Sequence, residues 1–173
     1  MKFQVEQAVE ILAQTPLTVK SSLGNLSDDW IENSANSESW SPFDIVGHLI
    51  HGEETDWIPR AEIILAQGDN LTFKAFDRFA QFKKSKGKTL NELIETFTVL
   101  RVKNLAALRE MDLTEEKLNL KGIHPELGEV TLEQLLATWA VHDLTHIKQI
   151  VTILARKYAE NVGAWKEFLS ILQ

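Results

Sequence analysis

Two of the five histidines in this chain, His142 and His146, stand four residues apart in TWAVHDLTHIKQI, residues 138–150. A helix turns by about 100° per residue, so the two imidazoles project roughly 40° apart and share one face. Gln149 is next on that stripe. Two imidazoles so spaced can hold one metal ion, as paired histidines do in many zinc sites. They can equally be two hydrogen-bonded residues of an apolar core, and the spacing alone leaves both readings open. His48 lies in FDIVGHLIHGEE, flanked by Ile45, Val46 and Leu49, and the same two readings apply to it. His51, beside Gly52, Glu53 and Glu54, reads as a surface residue, with a role as ligand or partner to a ligand as the alternatives. His124 sits in a Gly/Pro-rich loop and is expected to be exposed.

Other chemistries fit these residues less well. A carboxylate-bridged di-iron bundle needs Glu-x-x-His on two helices, and no histidine here has a glutamate three residues before it. HDLTH resembles the H-E-x-x-H of zinc metalloproteases, but Asp143 replaces the glutamate and reaches less far. A G-x-S-x-G elbow and a Gly-rich phosphate loop are both missing from the sequence. The chain has no cysteine, so disulfides, thiolate ligands and a cysteine nucleophile are excluded. Thiol chemistry would need a thiol brought in as cosubstrate.

The elements that must position the histidines are helical. Phe3, Val5, Ala8, Val9, Leu12 and Ala13 form a first amphipathic stripe, which Pro16 is expected to interrupt, with a shorter helical piece from Leu17 to about Leu26. Residues 27–39 are polar and turn-rich, although Trp30 and Ile31 could tuck into the core. Ser41, Pro42 and Asp44 read as N-cap, first helical position and capping-box partner of a second helix. That helix runs to about Ala66, with Pro59 threatening a kink and Gly68–Asp69 ending it. Residues 71–88 read as a loop with a short helix; the lysine-rich residues 83–88 look like a solvated connection. Thr89 with Glu92 opens a third long helix to about Met111, and residues 113–118 form a short capped turn. Gly122, Pro125 and Gly128 suggest a brief hairpin. Thr131 with Gln134 opens the fourth helix, to about Lys157, and a last short helix closes the chain. Four long amphipathic helices make an all-α four-helix bundle with short extra helices in the connections, one domain over residues 1–173. The long link between the second and third helices leaves room for a crossover.

At 173 residues with 44% hydrophobic content, the chain can bury a substantial core without staples. Its net charge of −7 argues against nucleic acid or an anionic membrane as partner. It contains no run of about 18 apolar residues to span a bilayer and its N-terminus is no signal peptide, so a cytoplasmic location is expected.

WSPFDIVGHLIHGE in one helix and LLATWAVHDLTHIKQI in another resemble the DinB-like, or YfiT-like, superfamily, and the resemblance covers nearly the whole chain. It implies a four-helix bundle in which three histidines, one from the second helix and two from the fourth, hold a divalent ion such as zinc or nickel. By position these are His48, His142 and His146. It also implies a metal-dependent enzyme of the low-molecular-weight-thiol S-transferase type, with a metal-dependent hydrolase or a non-catalytic ligand-binding bundle as alternatives. A small-molecule substrate and a homodimer are expected on the same ground. Asp143 projects away from the ligand stripe and is expected to orient a polar neighbour; Gln149 is placed to hydrogen-bond near the site. Arg60 and Arg78 are candidates for an anionic substrate, or ordinary surface charges. Trp40, Trp57 and Trp139 read as core.

Overall fold

The computed structural model describes residues 2–32 and 40–173; the rest of the polar stretch expected over 27–39 lies outside them. The long helices are α1 (Val5–Leu23), α3 (Pro42–Thr55) continued by α4 (Trp57–Ala66), α6 (Leu90–Glu110) and α8 (Leu132–Arg156). Short helices α2 (Asp28–Ile31), α5 (Ala80–Ser85) and α7 (Glu115–Leu118) sit in the connections. A two-stranded antiparallel hairpin, β1 (Lys121–His124) and β2 (Gly128–Thr131), precedes α8. Two short 3-10 helices, Gly163–Phe168 and Ser170–Leu172, stand where a last short helix is expected.

Three helix starts follow directly from their caps. Ser41, Thr89 and Thr131 each accept a hydrogen bond from the backbone N–H three residues on, and each cap's own N–H donates to the side chain of Asp44, Glu92 or Gln134. Two donors that the first helical turn would leave orphaned are thereby satisfied at each site.

Of the two prolines expected to disturb a helix, only Pro59 stands beside a break. Pro16 does not interrupt α1, which is continuous from Val5 to Leu23. A proline in a helix leaves the carbonyl four residues back without its donor, and that carbonyl, Leu12 O, accepts from Arg101 Nη1 at 2.6 Å. The second helix is broken three residues before Pro59, at Asp56, whose φ of −110° and ψ of −71° depart from helical geometry. Pro59 then falls in the first turn of α4, where a missing N–H costs little.

α1 packs on α6 and α8, and α3 packs on the same two helices, so the first two long helices lie diagonally across the bundle. Two apolar cores result. One gathers Ala8 and Leu12 of α1, Trp57, Ala61 and Ile64 of α4, Leu105 and Leu108 of α6, and Leu132, Leu136 and Trp139 of α8. The other gathers Val19 and Leu23, Ile45 and Leu49, Leu93 and Phe97, and Ile150 and Ile153. On every long helix a buried polar residue interrupts the apolar stripe between the two: Thr15, Glu53, Arg101 with Asn104, and Asp143 with His146. The histidines belong to this polar layer.

Candidate metal centre

His48 comes from the middle of α3, where Ile45 and Leu49 face the second core, and His142 and His146 come from α8. The fold brings the three rings together. His142 Nε2 lies 3.1 Å from His48 Nε2 and 3.1 Å from His146 Nε2. The three donor atoms all fall within 4.8 Å of one another. An imidazole nitrogen carries at most one proton, so His142 Nε2 can donate to only one of these neighbours. As hydrogen-bonded core residues they would leave one of these two contacts without a proton. A shared cation resolves the conflict. Tetrahedral ligands each about 2.0–2.1 Å from zinc stand about 3.3 Å apart, close to the observed separations.

The surroundings prepare the rings as neutral donors. His146 Nδ1 lies 2.9 Å from Gln149 Oε1; an amide oxygen only accepts, so Nδ1 carries the proton and Nε2 keeps its lone pair. Burial, reinforced by the charge of neighbouring imidazoles, lowers His48 to about 3 and His142 to about 2. Burial lowers His146 as well. Trp40 and Phe76 face His48 at ring-centroid distances of 4.8 and 5.3 Å. Trp57 meets His142 edge-on at 5.1 Å and stacks on Trp139 at 5.7 Å.

Behind His142 the polar layer is locked around Arg101. All five guanidinium N–H groups find acceptors: Nε and Nη2 donate to Glu53 Oε1, Nη1 and Nη2 to the two Asp143 oxygens, and Nη1 to Leu12 O. Glu53 also accepts from Trp139 Nε1 at 3.1 Å and from Asn104 Nδ2 at 3.0 Å. This one network joins α1, α3, α6 and α8. Burial pulls the Arg101 pKa down, but Asp143 and Glu53 outweigh it and the net shift is upward. Asp143 thus orients a polar neighbour, as expected from its projection.

His48 and His142 open on a cavity of about 600 Å³ whose lining also includes Trp57, Phe73 and Phe76. Arg60, Arg78 and His124 line the same cavity. Arg60 is buried and paired with Asp56 at 2.6 Å, so it is not an ordinary surface charge. His51 is not a surface residue either: it is 5% exposed, packs against Phe76 and accepts from Lys84 Nζ at 3.3 Å. It lies outside the three-histidine cluster. Trp139 is core; Trp57 is core and cavity wall together.

The profile of the DinB superfamily matches residues 11–150. The chain belongs to the DinB superfamily. Among solved structures, this DinB-superfamily chain is similar to YfiT from Bacillus subtilis, with a TM-score of 0.78 and 22% sequence identity over 91% of this chain and 89% of that one. YfiT is described as "a probable metal-dependent hydrolase with an unusual four-helix bundle topology". At that identity the likeness establishes the shared fold. No curated protein matches the chain.

Sequence reasoning misses Arg101, Glu53 and Asn104 in this DinB-superfamily site. One signal does point to the first of them: on α6 the buried stripe Ile94, Phe97, Leu105 and Leu108 carries Arg101 at helical spacing. A charged residue on an apolar face must find buried partners. Which partners, from residues as distant as Leu12 and Asp143, only the packing reveals.

Proposed function

We propose that this chain is a metal-dependent enzyme in which His48, His142 and His146 hold one divalent ion at the wall of the cavity. The convergence of three neutral Nε2 atoms beside that cavity carries the reading. Three protein ligands leave a position for an exogenous group, the arrangement of catalytic rather than structural zinc sites. When bound, such an ion lowers the pKa of a water or thiol and so supplies a nucleophile near neutral pH. Imidazole suits both zinc and nickel.

The residues around the centre favour a low-molecular-weight thiol as that nucleophile, and therefore an S-transferase. A water must lose a proton from a weak acid and profits from a general base beside it. The nearby carboxylates Glu53 and Asp143 are fully buried and committed to Arg101. A thiol, with a pKa of about 8.5, needs no such base once a cation is present. The rings of Trp57, Phe73 and Phe76 give part of the cavity wall an apolar surface for an electrophile. In the transfer the thiol sulfur forms a bond to the electrophilic carbon, the leaving group departs with its electron pair, and the thiol proton passes to solvent. Hydrolysis is the second reading, favoured by the description of YfiT, whose fold this chain shares.

The test is turnover of 1-chloro-2,4-dinitrobenzene by zinc- or nickel-loaded protein with and without added cysteine. Conjugation that requires both the metal and the thiol supports the transferase. Turnover of ester substrates with water alone, unchanged by thiol, supports hydrolysis. Metal-independent behaviour in both assays contradicts the proposal.

A further inference from the structure

The cavity is a trough with two chemically different ends. One wall is a single stripe of α3 and α4: His48, Gly52, Asp56 and Arg60 all line it, each four residues from the last. The facing wall is the α8 stripe His142, Thr138 and Gln134. A four-residue step advances about 6 Å along a helix. Along the unbroken α8 wall the trough therefore runs roughly 12 Å from His142 to the level of Gln134. Gly52 places no side chain in its middle.

Arg60 is an unusual guanidinium at the far end. It is 6% exposed, lies 5.2 Å over the Phe73 ring and has Nη2 2.6 Å from Asp56 Oδ1. That contact pairs Nη2 with Asp56, while Nε has no acceptor among the described residues. Arg101, buried more deeply, has every N–H satisfied. The difference is that Arg60 lines the cavity. Beside it, His124 Nδ1 accepts the backbone N–H groups of Glu126 and Leu127, which leaves Nε2–H as the donor that His124 can offer. Arg78 adds a second cation to the lining, and Asp56 and Glu126 are the acids there, Glu126 exposed.

We propose that Arg60 binds the carboxylate of an elongated substrate or thiol cosubstrate whose other end reaches the three-histidine centre. This rests on the reading of that centre as a site that activates a nucleophile. A carboxylate is planar and accepts from two guanidinium N–H groups at once, which supplies acceptors for the Arg60 N–H groups that Asp56 leaves free. Burial, partly offset by Arg60, raises Asp56 to about 6, so a second carboxylate beside it favours its neutral form.

The experiment uses zinc-loaded protein and two probes of equal length, 11-mercaptoundecanoate and 11-mercapto-1-undecanol, titrated by calorimetry. The acid is expected to bind about tenfold or more tightly than the alcohol. Arg60→Met should close that gap while zinc content and affinity for the alcohol stay unchanged. Arg60→Gln, which keeps a polar group over Phe73, is the second variant and should close it too. Equal affinity of acid and alcohol for the unaltered protein overturns the proposal, as does a gap that survives in either variant. Removing zinc separates the two readings. If the alcohol binds equally well without zinc, the thiol does not engage the centre and the proposed function falls, whereas the acid–alcohol gap still decides the role of Arg60.

Discussion

Gln149 Oε1 accepts a hydrogen bond from His146 Nδ1 at 2.9 Å, and this contact fixes which nitrogen of His146 faces the other two imidazoles. Partners of this kind typically contribute 10–100-fold in metal affinity. Gln149→Leu should weaken zinc binding by about that factor with the fold intact, read by competition with a chromogenic chelator. Gln149→Glu, which keeps the acceptor, should restore it. An affinity unchanged in Gln149→Leu would mean that the amide does not orient the ring.

Arg101→Met should be among the most damaging single substitutions in the chain. It leaves Glu53 and Asp143 as buried carboxylates without their cation, and Leu12 O without a donor. Breaking a buried pair from one side costs about 3–5 kcal/mol. Urea denaturation should show a loss of that size. A loss under about 1 kcal/mol, the range of exposed ion pairs, would contradict this network.

Acidifying the metal-free protein should lower its stability below about pH 6.5, where the unfolded histidines begin to charge. Folded His48 and His142 are held at about 3 and about 2, chiefly by burial. The unfolded state therefore binds more protons over this range. Stability is whole above about pH 6.5 and is lost as pH falls toward the folded values. At pH 5 the loss is of order 2 kcal/mol for each of the two. Asp56 acts in the opposite sense. Burial, partly offset by Arg60, raises it to about 6, so its contribution is present at low pH and lost as pH rises through about 6, a gain of order 1 kcal/mol at pH 5. Denaturation at pH 7 and pH 5 of the native sequence and of His48→Ala/His142→Ala separates these contributions. The double variant should lose most of the acid sensitivity; the same loss in both proteins would contradict the assignment.

Gly122→Ala should disturb the cavity from the hairpin side. A Cβ at this position would lie 2.5 Å from Phe73 Cε1 and 2.8 Å from Ile64 Cγ1, far inside contact distance. The hairpin or Phe73 must shift, at about 1–3 kcal/mol, and Arg60 rests over that ring. A lower melting temperature with unchanged zinc content is expected, since the three histidines are carried by α3 and α8 and not by the hairpin. Unaltered stability would mean that the hairpin moves freely away from Phe73.

Much of the fold is legible in local chemistry alone. Capping boxes at Ser41, Thr89 and Thr131 and the turn residues around Pro125 are short-range signals, and the chain begins a helix or bends at each of them. Helical periodicity by itself puts His142 and His146 on one face. The continuity of α1 is not legible in this way, because the donor that compensates Pro16 is Arg101, on another helix. His51 reads as exposed because its neighbours Glu53 and Glu54 are charged, yet Glu53 is buried by Arg101 and His51 is covered by Phe76. The two differences have one origin: sequence neighbours show neither the donor that completes a helix nor the partners that bury a polar residue. The meeting of His48 with the α8 pair is likewise a product of packing, which periodicity suggests but does not place.

The metal content of purified protein, after incubation with zinc or nickel and removal of free ion, tests the three-histidine centre most directly. About one tightly held ion per chain is expected, with loss of that ion in His142→Ala, whose Nε2 touches both other rings in the native sequence. Full occupancy in the His48→Ala/His142→Ala/His146→Ala triple variant would contradict it.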